Sequence, residues 1–266
     1  MDLTRTSPFP SRHIPPRPVD VWLPPGYPDV GGRRYPVIYM HDGQNLFDPA
    51  LAYGGITWGV GEALTGLVEE GRAQAAIIVG VWNNPPRWRE YMPQKPLASP
   101  PAADLAKRFR REQGGDPFSD RYLRFLVEEL KPWVDAHYRS QAEQPATFLM
   151  GSSMGGLISL YGLEQYPQVF GGAACLSTHW PAGGEVLVDA LGAGLPPAGA
   201  HRLYFDFGTE TLDWNYEPFQ QRFDEHLQRA GYRAEVDWIT RKFAGAEHSE
   251  ASWRLRVHIP LQFLLG

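Results

Sequence analysis

The sequence predicts an α/β fold, a mostly parallel central sheet with helices on both faces. Three features carry that expectation. Short apolar runs recur along the chain, at residues 35–40, 75–82, 148–150, 170–176 and 202–207. Between them lie stretches whose apolar residues repeat at helical spacing, and strand alternating with helix is the unit of a parallel sheet. Most of the runs end in polar or glycine-containing loops, where open α/β sheets place their ligands.

At 266 residues, with 43% hydrophobic and 21% charged residues, the chain can bury a sizeable core in a single domain. A net charge of -5 supplies no broad positive field, so a nucleic-acid partner is not expected. No run of apolar residues is long enough to span a bilayer, and residues 1–10 lack the apolar core of a secretory signal. The expectation is a cytoplasmic protein with no membrane partner, monomeric or homodimeric. Cys175 is the only cysteine and sits in an apolar run, so it reads as a buried strand thiol and not a nucleophile.

In order, residues 19–23 alternate and end at Pro-Pro-Gly, which reads as an edge strand and a turn. Residues 35–40 form a buried strand that runs into His41-Asp42-Gly43-Gln44-Asn45. A helix over 57–70 and a strand over 75–82 follow. Residues 84–120 lose periodicity among prolines and glycines, and so long a connection reads as a lid or substrate-binding insertion. Within it, the four cations at 107–111 read as a solvated helix face. Helical spacing returns at Tyr122, Phe125, Leu126, Leu130, Trp133 and Val134. Later come strands at 170–176, 202–207 and 235–239, a helix around Phe219, Phe223 and Leu227, and a terminal helix with a break at Pro260.

Gly151, Ser153 and Gly155 fit the G-x-S-x-G elbow, in which a tight strand-to-helix turn lifts a nucleophilic hydroxyl above the sheet. A serine nucleophile needs a base, and the base needs a carboxylate to hold its tautomer. His248 lies past the last strand, where the order Ser, Asp or Glu, His puts the base, whereas His41 and His179 end earlier strands and compete for the role. The acid is Asp213 or Glu210, both after the strand ending at Phe207, with Asp206 a weaker third and an N-cap the alternative role of Asp213. The oxyanion of acyl transfer asks for the Met154 N–H and a second donor from the loop at Gly43 or Gln44. No cofactor is expected: the ligand spacings of a metal site are missing around His41, Asp42, Asp48 and Glu247, and no phosphate-binding loop is present.

The blocks at residues 37–48, 89–91, 151–156, 208–213 and 246–250 resemble the putative esterase family, the esterase D and enterochelin esterase-like branch of the α/β hydrolases. The likeness runs from about Val19 to Leu265. It implies the α/β-hydrolase fold, and it puts the nucleophile on Ser153, the histidine on His248 and the acid on Asp213, with Glu210 the alternative. It also implies a substrate side built from Asn45 and the segment from Arg87 to Tyr91, Arg89, Glu90 and Tyr91 among it. Trp58, Trp88 and Trp180 are then candidate pocket walls, their other role being core packing. The expected activity is serine carboxylic-ester hydrolysis of a small or medium ester through an acyl-enzyme. An acyltransferase on the same scaffold and a non-catalytic binding module are the alternatives.

Overall fold

A computed structural model describes residues 2–27 and 31–266. Its eight strands are β1 (Asp2–Phe9), β2 (Arg17–Leu23), β3 (Val37–His41), β4 (Ile77–Val81), β5 (Thr147–Ser152), β6 (Gly172–Leu176), β7 (Arg202–Phe207) and β8 (Trp238–Lys242). They form one sheet in the order β1-β2-β4-β3-β5-β6-β7-β8. Only β2 runs against its neighbours, pairing antiparallel with β1 and β4, and the remaining pairs are parallel. The carboxyl ends of β3 to β8 therefore share one edge.

Helices cover both faces, because strand side chains alternate between two apolar layers. Ile38, Met40 and Ile78 pack with α1 (Val60–Glu69), α10 (Glu250–Arg256) and α11 (His258–Leu265). Val37, Tyr39, Val79 and Leu149 face the other way. There they meet α5 (Ser119–Arg124), α6 (Lys131–His137), α7 (Met154–Gln165), α8 (Gly184–Ala193) and α9 (Glu217–Arg229). A π-helical stretch, Phe125–Leu130, joins α5 to α6. Among the described residues no helix is long and apolar enough to cross a membrane.

Four expectations are corrected. The alternating patch at 19–23 lies inside the sheet, and the edge strand is the polar β1, whose mostly exposed residues carry no apolar signal. The last strand begins at Trp238, because Asp237 caps a turn by accepting from the Arg233 backbone N–H at 2.9 Å. The terminal helix breaks at Val257, ahead of Pro260, which sits in the first turn of α11 where no backbone donor is needed. Residues 84–120 are largely helical, with α2 (Arg87–Tyr91), α3 (Gln94–Leu97) and α4 (Ala103–Gln113). The buried positions from α2 to α4, residues 90–93, Leu97, Ala102 and Phe109, fall at irregular spacing among prolines, which hides their period.

Two buried polar residues brace the carboxyl edge. Glu90 is wholly buried and receives the Arg17 guanidinium in a bidentate pair, at 2.6 and 2.9 Å. That guanidinium also lies 5.3 Å from the Tyr122 ring centroid. His41 closes β3, its Nδ1 2.8 Å from the Tyr122 hydroxyl. Burial, helped by Arg87 and Arg17 and opposed by Asp42, pulls its pKa down to about 3.

Replacing Glu90 by Ala leaves Arg17 charged and unpaired in the core, so denaturant unfolding should register a loss of about 3–5 kcal/mol. Arg89→Ala, which removes an exposed bond to the Asp116 carbonyl and a guanidinium 5.0 Å from the Phe118 ring centroid, should cost about 1 kcal/mol or less. His41 makes acid costly. Between its unfolded value of 6.5 and about 3 only the unfolded chain takes up this proton, so stability falls as pH falls through that window. In His41→Gln the slope of unfolding free energy against pH there should flatten by up to about 1.4 kcal/mol per unit. An unchanged slope would contradict a neutral, buried His41.

Candidate active site

Ser153 lies between β5 and α7 with φ 59° and ψ −124°, a conformation that L-residues with side chains rarely hold. The turn is held by its partners: Ser153 N–H donates to the Leu176 carbonyl at 2.9 Å, and the Ser153 carbonyl accepts from His179 N–H at 3.1 Å. Gly151 is required for the tightness, since a Cβ there would sit 2.8 Å from the Gly155 carbonyl. Ser153 is half-buried, whereas Ser152 is the last, buried residue of β5. The first N–H groups of α7, Met154 foremost, have no intrahelical acceptor.

Two loops further along the sheet edge, Asp213 and His248 meet. His248 Nδ1 is 2.6 Å from Asp213 Oδ1. The second oxygen, Oδ2, accepts from Ser177 Oγ at 2.6 Å and from the Gly208 N–H at 2.6 Å. Burial works against the charge on Asp213, but the hydrogen bonds from His248, Ser177 and Gly208 outweigh it and hold the pKa below the ordinary carboxylate value. Gly208 must be glycine because a side chain there would overlap the Ala246 carbonyl. The histidine backbone is fixed too, its N–H donating to Thr211 Oγ1 at 2.8 Å. Trp253 meets the imidazole edge-on at 5.0 Å between centroids, and Tyr216 does so at 5.8 Å.

Behind Asp213 stands a buried polar network. Ser177 Oγ, which donates to Asp213, accepts from Trp253 Nε1 at 3.0 Å and Arg256 Nη2 at 2.9 Å. Arg256 also pairs with Asp206 at 2.9 and 3.1 Å, so the third carboxylate considered from sequence is occupied inside the fold. Glu210 is exposed, and its side chain takes a bond from Thr209 Oγ1 and none from His248.

Ser153 and His248 line one cavity of about 370 Å3, together with Asp42, Gln44, Asn45, Asn83, Arg87 and Glu250. Asp42 is in the left-handed region, φ 57°, and accepts from Arg87 Nε and Nη2 at 2.7 Å each and from Asn83 Nδ2 at 2.6 Å. Burial disfavours its charge, yet Arg87 and Asn83 keep its pKa below the usual value. Gly43 is pressed against the Gly80 backbone, which fixes the path of the loop.

Several residues expected on the substrate side are elsewhere. Glu90 is locked to Arg17, Tyr91 is buried with its hydroxyl 3.4 Å from the Asp42 N–H, and Arg89 turns to Asp116. Trp58 packs against Trp253 in one core layer, its ring tilted by 41°, and Trp180 donates to Gln220 in the other. Trp88 meets the His179 ring edge-on, outside the cavity lining. His179 bonds to the Tyr216 hydroxyl, and burial, His248 and Arg87 bring its pKa down to about 4. The sequence assigns no role to Arg256 or Glu250 and marks Ser177 only as a strand end at the ligand-binding edge. Ser177 ends the run 170–176, and position at that edge was the one available signal.

This chain is similar to several known proteins. It is 27% identical over 192 residues to "Uncharacterized protein YbbA" of Bacillus subtilis (strain 168), covering 71% of this chain and 67% of that protein. A solved ferulic acid esterase superposes with a TM-score of 0.69 at 17% identity, over 99% of this chain and 98% of that one. The enterobactin esterase FES from Shigella flexneri gives a TM-score of 0.71 at 20% identity, over 99% of this chain but 59% of that longer protein. An IroE-like serine hydrolase from Shewanella oneidensis gives 0.71 at 20%, over 99% and 78%. At these identities the structural likenesses establish the α/β-hydrolase fold. The family model described as "Putative esterase" matches residues 15–256, nearly the whole chain, and the protein accordingly belongs to that family of carboxylic ester hydrolases.

Proposed function

We propose that the protein hydrolyses a small ester through an acyl-enzyme on Ser153, with His248 as base and Asp213 as the residue that orients it. The observation that carries this reading is the strained Ser153 elbow opening on the same cavity as a histidine whose far nitrogen is already engaged by a buried carboxylate. With Nδ1 facing Asp213, the imidazole presents Nε2 as the acceptor for the serine proton. Ser153 Oγ attacks the ester carbonyl carbon while its proton passes to His248 Nε2. The negative charge that grows on the carbonyl oxygen is met by the Met154 N–H at the start of α7, with Gly43 or Gln44 N–H as second donor.

Collapse of the tetrahedral intermediate expels the alcohol, which takes the proton from His248. Water then attacks the acyl-enzyme with His248 again as base, releasing the acid and restoring Ser153. Asp213 stays ionised throughout, since its low pKa keeps it an acceptor toward the imidazolium. The cavity volume favours a small or medium substrate, and its wall sets amides and charged groups beside Tyr53, Leu212 and Trp253, so an ester with both polar and apolar parts fits it.

Ser153→Ala should lower turnover of p-nitrophenyl acetate by about 10⁴-fold or more while circular dichroism is unchanged, and it should no longer be labelled by a fluorophosphonate. Undiminished turnover would overturn the assignment. Ser177→Ala takes a donor from Asp213 and should lower kcat by about 10–100-fold with KM little altered. A rise in KM alone would mean that Ser177 contacts substrate instead of positioning the acid.

A further inference from the structure

Two charged groups in the cavity wall besides Glu250 have no task in the mechanism above, and they cancel: Asp42 and Arg87 are joined by two bonds of 2.7 Å. Glu250 is different. It opens α10 two residues beyond His248 and is half-buried. Asn45 Nδ2 donates to its Oε1 at 3.1 Å. Apart from that amide and its own backbone N–H, no donor among the described residues meets the carboxylate. The nearest cation on its own helix turns away, Arg254 donating to the Thr57 carbonyl at 3.0 Å and its hydroxyl at 2.9 Å.

Burial raises the Glu250 pKa, with the Asp42 charge adding to the effect, and its own backbone N–H, His248 and Arg87 only partly offset this. The protein thus holds a carboxylate on the wall of the reaction cavity without a counter-ion. Such a group gains most from a cation that the ligand brings, and it repels an anion in the same place. We propose that Glu250 makes the cavity charge-selective, so that the esters it accepts carry an ammonium group near the scissile carbonyl and those with a carboxylate there are excluded.

The inference rests on the Ser153 hydrolase reading. Two other roles for Glu250 are open to the same experiment. Through Asn45, whose Oδ1 accepts from the Tyr53 N–H at 3.0 Å, it ties a loop to α10. It also shares the cavity wall with His248, so a role in the chemistry of the base is the other alternative. Either of those roles would affect all substrates alike, whereas charge selection changes their ratio.

The experiment measures kcat/KM near neutral pH for ethyl 3-aminopropanoate, ethyl butanoate and monoethyl succinate, with the released acids separated by chromatography. The first two acyl groups differ by an ammonium in place of a methyl. The wild-type protein should favour the aminopropanoate over the butanoate by about tenfold and disfavour the succinate by a similar factor. In Glu250→Gln, which keeps an acceptor for Asn45, both ratios should collapse toward one. Asn45→Ala, which cuts the tie and keeps the charge, should preserve them. Equal rates for the three esters in the wild type, unchanged ratios in Glu250→Gln or lost ratios in Asn45→Ala would each overturn the proposal. No turnover of any ester, with no fluorophosphonate labelling of Ser153, would overturn the hydrolase reading itself and the proposal with it.

Discussion

The carboxylate of Asp213 is the point on which the carboxyl edge of the sheet depends. One oxygen meets the His248 ring, and the other meets the Ser177 hydroxyl and the Gly208 N–H. A buried carboxylate without such donors would be costly, and it would take up a proton and lose its grip on the imidazole. Three loops, after β6, β7 and β8, are thereby fastened to one another through a single side chain. In the proposed mechanism that fastening sets the tautomer of His248 before substrate arrives.

The bracing extends into the core. Ser177 can hold Asp213 because Trp253 and Arg256, both on α10, fix its hydroxyl from behind. The helix that follows His248 therefore anchors the residue that anchors the acid. Arg256 is itself neutralised by Asp206 at the end of β7. On the other side, Asp42 gathers Arg87 and Asn83 above β3 and β4, while Arg17 and Glu90 hold α2 against the sheet. The strain at Ser153 is sustained between these two polar frames by its backbone bonds to the β6 end and to His179.

Much of this was legible in the amino-acid sequence because the relevant signals are local. Apolar runs marked β3, β4 and β5 to within a few residues, and the spacing Gly151, Ser153, Gly155 marked a turn that only small residues allow. His248 could be named by its order relative to the strands, and the same order narrowed the acid to Asp213 or Glu210, with Asp213 favoured by the family resemblance. What escaped was non-local. The edge strand β1 is polar and is defined by pairing with β2, not by composition. Glu90 and Tyr91 look like exposed loop residues until Arg17, 73 positions before Glu90, is brought beside them. Ser177 has no distinguishing neighbour in sequence, and its importance comes from Asp213, Trp253 and Arg256, each more than thirty positions away.

The measurement that bears most directly on this account is kcat for p-nitrophenyl acetate in Asp213→Asn set beside Glu210→Gln. An amide at 213 can donate as well as accept, so His248 loses the partner that fixes its tautomer. The account predicts a fall in kcat of about 10⁴-fold for Asp213→Asn with KM near the wild-type value, and no material change for Glu210→Gln. A nearly normal kcat in Asp213→Asn, or a comparable loss in Glu210→Gln, would contradict it.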